Sequence, residues 1–259
     1  MINKCRFSTI VSVAIGMGLL MPSAALYQSK AFARQANVAP GASINNLPPQ
    51  DRGDLLMARR EYQAALAAYS SVPGQSAAVL NKMGVAYQHL YSIDKAKLLY
   101  ERALRLEPRF PDALNNLGAV YFEQGLYKKA EHLYKRALRL RPGNATVAKN
   151  LGAAYFAQGK LNKGMDAYRA AFRDDPNAFS EDGQDEIIGP GNTKEKSNQD
   201  YCLAALYAQA GMNARAFEYL RQAMDAGFDD YKRLSEDPDF AALRKTPQFA
   251  QLMSEERRQ

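Results

Sequence analysis

The chain has 259 residues, of which 47% are hydrophobic and 24% charged, with a formal net charge of +7 at pH 7. That balance belongs to a folded protein of one or two compact domains. Two histidines and two cysteines leave too few ligands and nucleophiles for most metal centres and triads, so no catalytic residue, metal or cofactor is expected.

Residues 1–25 open with Lys4 and Arg6, continue as the uncharged run STIVSVAIGMGLLM, and reach Pro22 and Ser23-Ala24-Ala25. Basic, then apolar, then small is the order of a secretory signal peptide, and Ala31-Phe32-Ala33 offers a second site that would extend it to 33. The alternative is an uncleaved anchor, since Phe7 to Tyr27 nearly matches the ~20 residues of a membrane span. Pro22 and the small residues beyond it favour cleavage. The protein is therefore expected to be exported, to a periplasm or the extracellular space, with membrane anchoring as the minor reading. Cys5 precedes the apolar run, so it is not placed to be acylated, and cleavage leaves Cys202 with no partner for a disulfide. Residues 34–48 are polar, Pro- and Gly-bearing and aperiodic, as in a flexible leader.

From residue 49 the chain becomes periodic. NNLGAVYFEQG at 115–125 returns 34 residues later as KNLGAAYFAQG at 149–159. On that period Gly84, Gly118 and Gly152 coincide, as do Tyr87, Tyr121 and Tyr155, then Tyr100, Tyr134 and Tyr168, then Pro108, Pro142 and Pro176. Three full units thus occupy 77–178. In the middle one, Leu114, Leu117, Gly118 and Tyr121 recur at helical spacing, Gly125 breaks the run, and Tyr127, Ala130, Tyr134 and Ala137 form a second stripe before Pro142. Each unit reads as a helical hairpin that cannot bury both its faces alone, which is why it must be repeated. Residues 49–76 are a shortened first unit, 197–230 a final one, and 179–196 a polar insertion. Its carboxylates Glu181, Asp182, Asp185 and Glu186 do not follow calcium-loop spacing and read as a solvated loop. At 231–259, Asp237-Pro238 and Thr246-Pro247 start two short helices whose Phe240, Leu243, Phe249 and Leu252 cover the last apolar face.

The pattern Leu114-x-x-Leu117-Gly118-x-x-Tyr121, Ala130-x-x-x-Tyr134, Pro142 resembles the tetratricopeptide repeat, and the resemblance spans about 46–230. It implies an all-α, right-handed solenoid of helical hairpins with a short C-terminal helical cap. It also implies a non-enzymatic scaffold that mediates protein–protein interaction, holding a protein or peptide against the concave surface formed by the first helices. The positions that face that surface in the family are, in this sequence, Asn81, Val85, Gln88 and His89, then Asn115, Ala119, Phe122 and Glu123, then Lys149, Ala153 and Phe156, with Tyr201 in the last unit. Phe122 and Phe156 are the expected apolar anchors, the small residues leave room for a backbone, and Asn81, Asn115 and Lys149 would serve its carbonyls. One subclass clamps chaperone C-termini, but Val85 and Thr146 stand where that clamp needs Asn and Lys.

A second surface is basic. Lys95, Lys129 and Lys163 share one repeat position and Arg105, Arg139 and Arg173 another, forming ladders on the outer helices. They give the alternative function, an envelope-associated module holding an anionic polymer or lipid. Nucleic acid is not expected, because no aromatic residues interleave with these cations for base stacking.

The leader yields a direct expectation: N-terminal sequencing of native protein should read from Leu26 or Arg34, whereas a start at Met1 or Ile2 with retention in membranes would establish the anchor.

Overall fold

The computed structural model describes residues 44–179 and 193–256; the leader with both cleavage sites, and 180–192 of the insertion, lie outside the described residues. Ten of the described helices pair as five hairpins: α1 (Pro49–Ala58) with α2 (Tyr62–Ser70), α3 (Ala77–His89) with α4 (Ile93–Leu106), α5 (Pro111–Glu123) with α6 (Tyr127–Leu140), α7 (Ala145–Phe156) with α8 (Leu161–Asp174), and α9 (Thr193–Gln209) with α10 (Asn213–Asp225). Then follow α11 (Tyr231–Glu236), two 3-10 turns at Pro238–Phe240 and Leu243–Lys245, and α12 (Pro247–Glu256). The chain is an all-α solenoid. The second helix of the first hairpin is short, 9 residues against 14 in α4, α6 and α8. α9 starts at Thr193, so the end of the expected insertion is its first turn.

Local chemistry sets the helix ends. Val79 N–H donates to Ser76 Oγ at 3.3 Å and Val147 N–H to Asn144 Oδ1 at 3.1 Å, while Pro49 and Pro111 open α1 and α5, where no amide hydrogen is needed. All five hairpins turn on one left-handed residue at the same repeat position: Arg60 (φ 62°), Tyr91 (55°), Gly125 (72°), Gly159 (69°) and Gly211 (72°). The following amide donates back to the carbonyl five residues earlier, as in Leu126 to Tyr121 (2.8 Å) and Ser92 to Tyr87 (2.9 Å), the closure that ends many helices.

Inside each hairpin, the close approach of two helices rests on a glycine opposite a tyrosine 16 residues later. A methyl group added at Gly53, Gly84, Gly118 or Gly152 would lie 2.4, 2.4, 2.6 or 2.3 Å from the ring of Tyr69, Tyr100, Tyr134 or Tyr168. No real side chain tolerates that, so the ring takes the volume that any other residue would fill. The last hairpin solves the same problem differently: Ala204 and Leu220 hold the equivalent positions, both buried, a larger small residue facing a smaller large one.

Polar links join one hairpin to the next. Asn116 Nδ2 donates to Asn81 Oδ1 and Asn150 Nδ2 to Asn115 Oδ1, each at 3.0 Å. Lys82, at the repeat position of Asn116 and Asn150, instead reaches Asp54 at 2.6 Å, and Asp54 also accepts from Tyr69 OH at 2.6 Å. At the other end the cap buries Phe228, Leu234, Phe240, Leu243, Phe249 and Leu252 with the first helix of the last hairpin. Asp237 ties the parts together, accepting from Asp239 N–H at 3.0 Å as the cap of its turn and from Tyr201 OH at 2.7 Å.

The glycine–tyrosine contact predicts a coupled pair. Gly118→Ala should cost about 1–3 kcal/mol through overpacking. Adding Tyr134→Leu, after the manner of Ala204 and Leu220, should recover part of that loss in a double-mutant cycle followed by urea unfolding. Strictly additive energies would show that the two residues do not press on each other.

Candidate interaction surface

Successive first helices touch, α3 with α5, α5 with α7 and α7 with α9, whereas successive second helices meet more sparsely. The stack therefore closes up on the first-helix side, which is its inner face. Most of the inward positions expected to bind a partner are used by the fold itself. Phe156 is 1% exposed; its ring lies edge-on to Tyr168 at 5.1 Å and fills the space over Gly164, where a methyl group would come within 2.8 Å of it. The replacement of Ala96 and Ala130 by Gly164 thus makes room for the ring. Phe122, 3% exposed, packs on Tyr127 at 5.3 Å. The expectation of two aromatic anchors open to a partner is corrected: both rings are core.

Asn81 and Asn115 are likewise buried, their oxygens taken by the next hairpin, so they are structural links and not an open row of donors. Val85 and Ala153 are buried as well. Lys149 Nζ donates to Ala178 O at 2.9 Å and lies over the Phe179 ring. Tyr201 is sealed under the cap, stacked on Phe228 at 4.5 Å and met edge-on by Phe240 at 5.3 Å. The cap reaches further over α9 than the repeat pattern alone suggests.

What stays accessible gathers where α3 and α5 end. Ala119 and His89 are half-buried and Glu123 is exposed. Gln88 is buried; its Oε1 accepts from Tyr100 OH, while its Nε2 has no partner among the described residues. His89 stacks flat on Tyr62 at 4.3 Å with Nδ1 buried and unpaired. Burial, aided by the nearby Arg60 cation, pulls the imidazole pKa down to about 4, so the ring is neutral at pH 7. Enough protein crowds Glu123 that its carboxyl is pushed above its ordinary range even though solvent reaches it. Burial first, and the Glu123 charge second, raises the phenols of Tyr100 and Tyr134. One rim thus holds an unpaired amide donor, a neutral imidazole and a carboxylate beside two buried hydroxyls. Cys202 contributes nothing there: it is buried and its thiol is pushed up to about 12 by desolvation.

The cations of the outer face, Lys95, Lys129, Lys163, Arg105, Arg139 and Arg173, are all exposed. The expectation that no aromatics accompany the lysines is corrected. Lys95 lies over Tyr87 (5.3 Å), Lys129 over Tyr121 (5.3 Å), Lys163 over Tyr155 (6.0 Å), and Arg215 over Tyr207 (5.8 Å). The signal was present in the sequence as two repeated residue types eight apart. That offset joins the last turn of a first helix to the first turn of its second. The ammonium groups cover the rings, so no open stacking face results. Nearby, burial alone would raise the Glu131 carboxyl, but hydrogen bonds from Lys135, Lys160 and Gln158 hold it at about 2.

Comparison with known families matches residues 111–144 to the tetratricopeptide repeat and 92–125 to a second model, described as TPR repeat. The stretch 92–144 is tetratricopeptide-repeat sequence. Among solved structures the chain is similar to "Crystal structure of MamA" (20% identity, 67% of this chain and 93% of that one, TM-score 0.47). It is also similar to "MamA AMB-1 C2221" (21%, 71% and 99%, TM-score 0.48) and to "MamA RS-1 ArsTM double mutant" (19%, 76% and 99%, TM-score 0.49). No curated protein matches the chain in sequence.

In this tetratricopeptide stack the inner phenylalanines should behave as core. Phe156→Ala should lower unfolding free energy by about 3–5 kcal/mol, read by thermal or urea melts; a change under about 1 kcal/mol would return the ring to the surface account.

Proposed function

We propose that the chain is an exported protein-interaction scaffold that receives a segment of a partner protein along its first-helix face, without catalysing a reaction. Repeats of this family supply the general role, since a stack of hairpins presents a long continuous surface built from rigid helices. The observation that carries the finer reading is the rim at Gln88, His89 and Glu123. Buried polar groups in folded proteins are nearly always paired. Here a buried amide nitrogen and a buried imidazole nitrogen lack partners among the described residues, under a rim formed by the half-buried His89 ring and the exposed Glu123, a carboxylate in crowded surroundings. A peptide N–H or a cationic side chain satisfies Glu123. Export rests on the leader sequence alone.

Site-specific photocrosslinking in the native envelope tests the placement. A photoreactive residue at Ala119, beside the rim, should give a discrete protein adduct, and one at Arg139 on the outer face should not. Glu123→Gln should weaken the Ala119 adduct several-fold with the melting temperature unchanged. Equal labelling from both faces, or an adduct indifferent to Glu123, would place the partner elsewhere.

A further inference from the structure

Hairpins stacked in register bring all their internal turns to one edge of the solenoid, and that edge has its own chemistry. Among the described residues five large apolar side chains are exposed: Tyr91 (60%), Leu98 (55%), Leu106 (61%), Leu126 (40%) and Met212 (42%). Three of them, Tyr91, Leu126 and Met212, stand in the internal turns of the second, third and fifth hairpins. In the fourth, Lys160 occupies the place of Leu126 and Met212. Scattered exposed apolar residues need no explanation, but three of five gathered in equivalent turns do, Leu126 and Met212 at one turn position and Tyr91 at the position before it. Tyr91 adds a second oddity. It holds the left-handed turn position that glycine fills in the three hairpins after it, a conformation costly for a side chain, and it spends that cost on a ring that is 60% exposed.

The cation ladder brackets the same turns. Each tyrosine lies in the last turn of a first helix, and each Lys or Arg in the first turn of the second, so Lys95, Lys129, Lys163 and Arg215 line this edge once in each hairpin after the first. Exposed carboxylates, Glu61, Asp94 and Glu123, share the edge. None of the four ladder cations is ion-paired with a carboxylate among the described residues, whereas Lys82, Lys135 and Arg141 elsewhere are. Instead each is held over a ring face, which fixes its position and leaves its charge uncompensated.

We propose that the turn edge is a docking surface for an anionic lipid bilayer, with Tyr91, Leu126 and Met212 entering the headgroup region and the four ladder cations meeting lipid phosphates. Apolar tips among fixed cations are the composition of an interfacial membrane contact. A soluble linear polyanion would use the cations and has no use for the apolar tips. Among the described residues no helix is long and apolar enough to cross a membrane, so this contact lies on the surface and does not span it. The rim at Gln88, His89 and Glu123 borders this edge, and the inference stands whether or not that rim holds a partner, because it is read at Leu126 and the lysines.

The test uses the full chain and reads contact geometry, because the apolar leader would itself bring the protein to vesicles. Photoreactive residues are placed singly at Leu126 and at Leu106, a more exposed apolar residue (61% against 40%) at the end of its own hairpin away from the turn, and irradiated with vesicles of phosphatidylglycerol and phosphatidylcholine. Lipid adducts should form several-fold more at Leu126 than at Leu106. That preference should fall in phosphatidylcholine vesicles, and in a Lys95→Gln, Lys129→Gln, Lys163→Gln variant whose melting temperature is unchanged. Equal labelling at the two sites overturns the proposal. So does a preference that survives both controls, which is apolar adsorption only. Protein that binds soluble dextran sulfate through the three lysines while Leu126 gives no lipid adduct would make the ladder a polyanion site instead.

Discussion

A tyrosine ring lying where a glycine has no side chain sets the spacing on which this solenoid depends. In four hairpins the same pair stands 16 residues apart, and everything larger follows from it. The pair fixes how near a first helix comes to its second, and the repeat of that distance lets hairpins stack in register. Register in turn places identical positions in rows: amides along the junctions, tyrosine–cation pairs along the turns. The hydrophobic term supplies the bulk of the stability, as in any core. The glycine–tyrosine fit decides which packing of that core is reached.

Much of this was readable before any coordinate. A 34-residue period shared by glycine, tyrosine, alanine and proline leaves little freedom in fold, and the cap was announced by two capping residues followed by proline. The inner surface was less legible. A residue's place in a repeat says which way its side chain starts, and not whether a neighbour has vacated the space in front of it. Phe156 starts inward, but the loss of one methyl group at Gly164 lets it sink into its own hairpin. Asn81 and Asn115 carry the right chemistry for a peptide, yet the next hairpin offers amides at 3.0 Å, and an intramolecular partner needs no second molecule. Tyr201 is hidden by a cap whose extra helix, α11, follows no repeat rule. The tyrosine–cation ladder is hidden for the opposite reason: both columns stand in the sequence, but the eight-residue offset that joins them crosses a turn, and helical periodicity counts only within a helix.

Polar groups divide into those that hold the stack together and those left over. The Asn116–Asn81 and Asn150–Asn115 bonds and the Lys82–Asp54 pair link hairpins in shielded surroundings, although Asn150 Oδ1 itself has no partner among the described residues, and their removal would leave further unmatched groups in the interior. Gln88 Nε2 and His89 Nδ1 are buried and unmatched. Such groups reduce stability, as do Asn150 Oδ1, Gln158 Oε1 and Tyr207 OH elsewhere in the stack; those at the rim differ in lying next to the half-buried His89 and the exposed Glu123.

The pairing of Ala204 with Leu220 bears on how such a chain came to its present length. Hairpins α3–α4, α5–α6 and α7–α8 each meet near-copies of themselves, so one solution copied from unit to unit serves all three. The α9–α10 hairpin meets a repeat on one side and an unrelated cap on the other. Duplication can lengthen the interior at little penalty, but a copy placed last would present Tyr134's counterpart to a neighbour shaped for leucine. The glycine–tyrosine pair runs from the first hairpin, through Gly53 and Tyr69, to the fourth, so a unit copied within that stretch meets the fit it was shaped for, and the last hairpin marks where that fit stops.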